Sequence, residues 1–127
     1  MKKIMLVDDN PDLIYMIKKH LKKLDDEYEI TGVESGEECF KLLEGNYKPD
    51  LILLDIMMPG MNGWDVLAKI REQLAFSKIP VVFLTAKDDE TSKGLGVMTS
   101  EGYITKPFII ADLKEKIERI LAKRYEK

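Results

Sequence analysis

The sequence predicts an α/β domain built on a doubly wound parallel sheet. Three observations carry this. Short apolar runs alternate with amphipathic stretches of helical period. The run Leu51–Leu54 is apolar throughout, as a central strand covered on both faces must be. Five such βα units fit within 127 residues.

Taken in order, Lys3–Val7 is the first strand. Asn10-Pro11 then supplies a helix N-cap and a proline at the first helical position. That helix runs to Leu24, with Leu13, Ile14, Ile17, Leu21 and Leu24 on one face. Tyr28–Val33 is the second strand. Ser35 with Glu38 three residues on forms a capping-box pattern for a helix carrying Phe40, Leu42 and Leu43 and ending at Gly45-Asn46. Asp50–Leu54 is the third strand, and the breakers of Pro59–Gly63 form a loop. A third helix carries Trp64, Leu67, Ile70, Arg71 and Leu74, and Pro80–Leu84 is the fourth strand. Asp88–Glu101 should hold a fourth helix, short or frayed because Thr91, Gly94, Gly96 and Thr99 are weak formers. Gly102–Thr105 is a short fifth strand. The last helix, Ile109–Tyr125, turns Leu113, Ile117, Ile120 and Leu121 inward.

The length fits one domain, residues 1–127, with a core that needs no covalent staples. With 45% hydrophobic and 34% charged residues the composition is that of a soluble globular chain. A net charge of −3 and the absence of a basic block give no reason to expect direct nucleic-acid binding. The lone Cys39 excludes an internal disulfide and zinc spacing, and beside Glu37 and Glu38 it reads as a small core residue. The short apolar run after Lys2-Lys3 is neither a signal peptide nor a membrane span, so a cytoplasmic location is expected. His20, the single histidine, reads as a solvated helix residue, and Met57, Met58 and Met61 as loop packing.

Function is suggested by what ends the apolar runs. Asp8-Asp9 follow the first, Asp55 follows the third, Thr85 ends the fourth and Lys106 the fifth. In a doubly wound sheet, ligands sit beyond the carboxyl ends of the strands. Acids, a hydroxyl and an ammonium gathered there suggest a divalent cation and a phosphoryl group. Like charges so close should also repel, so Asp8 or Asp9 is expected to titrate high without metal.

The pieces Leu-Val-Asp-Asp-Asn-Pro at 6–11, Leu-Leu-Asp-Ile-Met-Met-Pro-Gly-Met-Asn-Gly at 53–63, Phe-Leu-Thr-Ala at 83–86 and Tyr-Ile-Thr-Lys-Pro-Phe at 103–108, in this order, resemble the receiver domain of two-component response regulators, across the whole chain. The resemblance implies a flavodoxin-like (βα)5 three-layer sandwich with strand order 2-1-3-4-5. It implies Asp55 as phosphoacceptor and Mg²⁺ (or Mn²⁺ in its place) held by Asp8, Asp9, Asp55 and the backbone carbonyl of Met57, with Asp8 acting partly through water. It further implies that Lys106 and Thr85 meet the phosphoryl oxygens and that Tyr103 acts as a switch partner of Thr85. The Lys106–Pro107 bond is expected to be cis, turning the lysine into the site. Met57 and Lys87 should tune hydrolysis of the phosphoryl group. The implied partners are a sensor histidine kinase or phosphotransfer protein and an unknown output partner. That partner, or a second copy in a phosphorylation-dependent homodimer, would meet the face of the fourth helix, fifth strand and last helix. Such a chain catalyses only its own phosphorylation and dephosphorylation, either standing alone or as part of a longer regulator. Thr99-Ser100-Glu101-Gly102 departs from the Gly-Ala-Asp-Asp-like turn of many receivers, which bears on the partner face and not on the acids.

Three rivals remain. A phosphatase of haloacid-dehalogenase type also forms an aspartyl phosphate, but it needs an acid two residues after the nucleophile, where this chain has Met57. A flavin-binding module needs a phosphate-cradling loop after the first strand, where Asp8-Asp9 would repel phosphate. A phosphate-independent adaptor would have no use for Asp55 and Lys106.

Overall fold

A computed structural model describes residues 1–86 and 100–124. Five strands, β1 (Lys2–Val7), β2 (Tyr28–Val33), β3 (Leu51–Asp55), β4 (Val81–Thr85) and β5 (Gly102–Thr105), form one parallel sheet in the order β2-β1-β3-β4-β5. The helices among the described residues are α1 (Pro11–Leu24), α2 (Gly36–Glu44), α3 (Gly63–Glu72) and the last helix, α4 (Ile110–Arg124). The sequence-predicted fourth helix, 88–101, falls almost wholly outside the described residues, as do Lys87 and Tyr125.

Alternation along the strands sends side chains to two cores. Met5, Val7, Ile52, Leu54, Val81 and Phe83 pack with Cys39, Leu43, Val66 and Ile70 of α2 and α3. Ile4, Leu6, Leu51, Leu53, Val82 and Leu84 pack with Ile17, Leu21, Leu113 and Ile117 of α1 and α4. This three-layer arrangement explains why β1, β3 and β4 lack the polar alternation of one-sided strands. It also clamps their register, because a one-residue slip would exchange the two cores.

The helix starts obey local chemistry. The Asn10 side chain accepts from the Asp12 and Leu13 N–H groups, with Pro11 at the first position. Ser35 accepts from Glu38 N–H, but the Glu38 carboxylate reaches the N–H of Glu34 rather than that of Ser35, so the expected box closes one residue early. A reciprocal capping box instead starts α3, between Asn62 and Asp65.

Periodicity misjudged two ends. Leu24, expected inward, is exposed at the last position of α1, where Asp25 turns extended. Leu74, expected on α3, lies past its end and is 96% exposed, because Gln73 has left the helical conformation. The methionines also divide: Met58 and Met61 pack on the core, while Met57 is 64% exposed and is not loop packing. Cys39 is fully buried, and burial pushes its thiol up to about 12, as suits an inert core residue. His20 is exposed. Among the described residues, no helix is long and apolar enough to cross a membrane.

Candidate functional site

The sheet register brings the acids together. Val7 pairs with Leu54, so the residues that follow, Asp8 and Asp55, emerge side by side. Asp55 pairs with Leu84 and Thr85 with Thr105, which puts Thr85 and Lys106 one step along on the neighbouring strands. One carboxylate oxygen from each of Asp8, Asp9 and Asp55 lies within 4.8 Å of the others. Asp8 and Asp55 are buried and Asp9 is exposed, so the cluster opens to solvent on the Asp9 side.

Lys106 closes the cluster. Its Nζ lies 3.0 Å from Asp8 Oδ2 and 3.3 Å from Asp55 Oδ1. The lysine is carried there by β5, and its own N–H donates to the Thr85 carbonyl at 2.6 Å. The Lys106–Pro107 peptide is cis. Asp8 Oδ1 accepts from Asn10 N–H at 2.9 Å, which ties the cluster to the α1 cap. The buried Thr85 hydroxyl donates to the Ala86 carbonyl at 3.0 Å.

Among the described residues the site holds three carboxylates and one ammonium. Burial and the neighbouring Asp8 charge push Asp55 up to about 6, against the downward pull of Lys106 and with Asp9 adding a little. Asp55 is thus held above the ordinary carboxylate range; of the two buried acids, Asp8 has the shorter contact to the ammonium. Burial works against the charged form of Lys106, but Asp8 and then Asp55 together outweigh it and raise the lysine above its ordinary value. Three oxygen donors around an under-neutralised centre suit a hard dication of the Mg²⁺ kind, not a soft metal that prefers sulfur or imidazole.

Other expected residues fall around this centre. Met57 follows Asp55 by two and is exposed beside it in sequence. Tyr103 on β5 sits opposite Phe83, two residues before Thr85, and is exposed. Trp64 stacks at a tilt on Phe83, ring centroids 4.8 Å apart. One residue escaped the sequence reading. A Cβ on Gly63 would lie 2.5 Å from the Asp55 carbonyl oxygen and 2.7 Å from Ile56 Cα, so only glycine lets α3 start against the backbone of Asp55. Its N–H donates to the Ile56 carbonyl at 2.8 Å. The sequence places Gly63 in a breaker-rich loop and in the 53–63 piece, and neither shows how close it comes to Asp55.

Fold and site together define a class: a doubly wound module whose strand-end site is acidic and suited to a hard cation. The profile of the response regulator receiver domain family matches residues 4–118, and the chain belongs to that family. Over 121 residues it is 36% identical to the alkaline phosphatase synthesis transcriptional regulatory protein PhoP of Bacillus subtilis (strain 168). That match covers 94% of this chain and 48% of PhoP, so the chain spans about half the length of this relative. Among solved structures, the receiver domain of the Francisella response regulator 1452 is 30% identical with a TM-score of 0.85, covering 99% of this chain and 100% of that one. The N-terminal domain of a response regulator receiver protein from Methanoculleus marisnigri JR1 is 37% identical with a TM-score of 0.75, covering 96% and 98%.

A carboxyl raised from 3.8 to about 6 binds its proton more tightly in the folded protein than in the unfolded chain. Its contribution to stability is therefore favourable at low pH and declines as pH rises through that window. Asp55→Asn should stabilise the metal-free protein by roughly 1–3 kcal/mol at about pH 7.5, and the gain should vanish by about pH 4. Paired thermal melts in chelator across that range measure it; a variant less stable than the parent at the higher pH contradicts the assignment.

Proposed function

We propose that residues 1–127 act as one receiver domain in which Asp55 accepts a phosphoryl group from a sensor histidine kinase or a phosphotransfer protein. The observation that carries this reading is the Lys106 ammonium lying within 3.3 Å of both buried acids, Asp8 and Asp55, beside the open Asp9. Receiver domains as a family accept phosphate from histidine kinases.

The chemistry follows from the residues. An Asp55 oxygen attacks phosphorus in line; the bond from phosphorus to the donor breaks, and an acyl phosphate remains. Lys106, already beside the nucleophile, pairs with a phosphoryl oxygen as a point charge. The Thr85 hydroxyl leaves the Ala86 carbonyl and donates to another phosphoryl oxygen. Mg²⁺, with Mn²⁺ able to replace it, would be held by Asp8, Asp9, Asp55 and the Met57 carbonyl, and would supply the neutralisation that lets one anion attack another. Exposed Met57 beside the acceptor limits water access and so sets phosphoryl lifetime, together with Lys87.

Movement of Thr85 toward the phosphoryl group leaves space that Tyr103 turns inward to fill. This shifts the population of the β5 and α4 face, where an output partner or a second copy binds. By analogy with its half-length match to a transcriptional regulatory protein, such a domain would control an output unit.

Incubation with Mg²⁺ and acetyl phosphate should add the mass of one phosphoryl group to the parent and nothing to Asp55→Asn; equal gain by both overturns the reading. Tyr103→Ala should be phosphorylated like the parent yet lose any effect of phosphorylation on partner affinity or dimerisation. A variant that couples as strongly as the parent removes Tyr103 from the switch.

A further inference from the structure

Lys106 depends on a weak element. β5 has four residues and no fully buried one, and among the described residues it lies at the sheet edge and pairs only with β4. Its far end must nevertheless hold an ammonium within 3.0–3.3 Å of two carboxylates. Its near end is held by a polar clamp. Arg71, close to the end of α3, donates through Nη1 to the carbonyls of Ser77 and Ile79, both at 2.9 Å, and through Nη2 to Glu101 Oε1 at 3.0 Å. The same Glu101 oxygen accepts the Val81 N–H at 2.7 Å, and Glu101 N–H donates to the Val81 carbonyl at 2.9 Å. The residue just before β5 is thus fastened to the first residue of β4 and to α3.

Helix α3 joins the two ends of this arrangement. Gly63 begins it against the Asp55 backbone, and Arg71, in its last turn, grips Glu101. The planar guanidinium reaches these acceptors from two nitrogens held in a fixed fork, a geometry that the point charge of a lysine does not reproduce. Glu101 belongs to the segment that departs from the usual receiver turn, and this clamp gives the departure a physical role.

We propose that Arg71 and Glu101 are positioning residues for phosphoryl transfer: they fix the start of β5 and thereby hold Lys106 at Asp8 and Asp55. The inference rests on the reading of Asp55 as acceptor. Reacting groups displaced by about 1 Å can lose up to about a hundredfold in rate, so a frayed β5 reaches the chemistry without touching it.

The test is a double-mutant cycle on the rate of phosphorylation of the full chain by acetyl phosphate in Mg²⁺, well below the melting temperature of every variant. Arg71→Ala should slow the parent about tenfold and should cause no further loss in a Lys106→Ala background, because it acts through that lysine. Glu101→Ala should behave in the same way, and Glu101→Gln, which keeps an acceptor for both donors, should recover most of the loss. If Arg71→Ala does not fold, the Glu101→Ala cycle decides. A parental rate in the clamp variant, or a loss that multiplies with that of Lys106→Ala, overturns the inference. An Asp55→Asn chain that takes up the phosphoryl group overturns the acceptor reading instead.

Discussion

The rest of the structure depends on a crowding of charge: among the described residues, two buried carboxylates and one exposed carboxylate share one nearby ammonium at the carboxyl edge of the sheet. At an effective dielectric near 20, two like charges about 4–5 Å apart repel by roughly 3–4 kcal/mol. Lys106 offsets part of that, and the described residues at the centre carry more negative than positive charge. Burial, with the Asp8 charge added to it, pushes Asp55 up to about 6. A centre in that condition favours whatever brings positive charge, and it holds Asp55, the proposed acceptor, beside the Lys106 ammonium.

Holding such a centre requires a stiff frame. The central strands supply it, because their apolar side chains fill a core on each face and a shifted register would empty both. Asp8, Asp55 and Thr85 extend from these strands and inherit their rigidity. Lys106 does not. It comes from the short edge strand, so its position is set by hydrogen bonds at the strand's two ends: its own N–H on Thr85, and the Arg71–Glu101–Val81 contacts. The most adjustable member of the site is therefore the cation, and Tyr103 shares its strand.

The acids, Thr85 and Lys106 were legible in the sequence because each sits where an apolar run stops, and parallel strands align such endings. Strand order followed from the same pattern once the resemblance was added. Other features depend on tertiary register and leave no local trace. Arg71 and Glu101 lie 30 residues apart and meet only after β4 and β5 pair. The approach of Gly63 to Asp55 exists only once α3 has docked. That Asp55 titrates high turned on its burial and on the Asp8 charge beside it, which only the packed sheet shows. Leu24 and Leu74 fit an apolar stripe, but periodicity does not show where the backbone leaves the helix.

The most direct measurement of this balance is the rise in melting temperature that saturating Mg²⁺ gives to the parent and to Lys106→Ala at neutral pH. Removing the ammonium leaves buried carboxylates unpaired, which costs about 3–5 kcal/mol without metal, and a dication can take over the lost neutralisation. The account predicts a larger Mg²⁺-induced rise in Lys106→Ala than in the parent. An equal or smaller rise would contradict it.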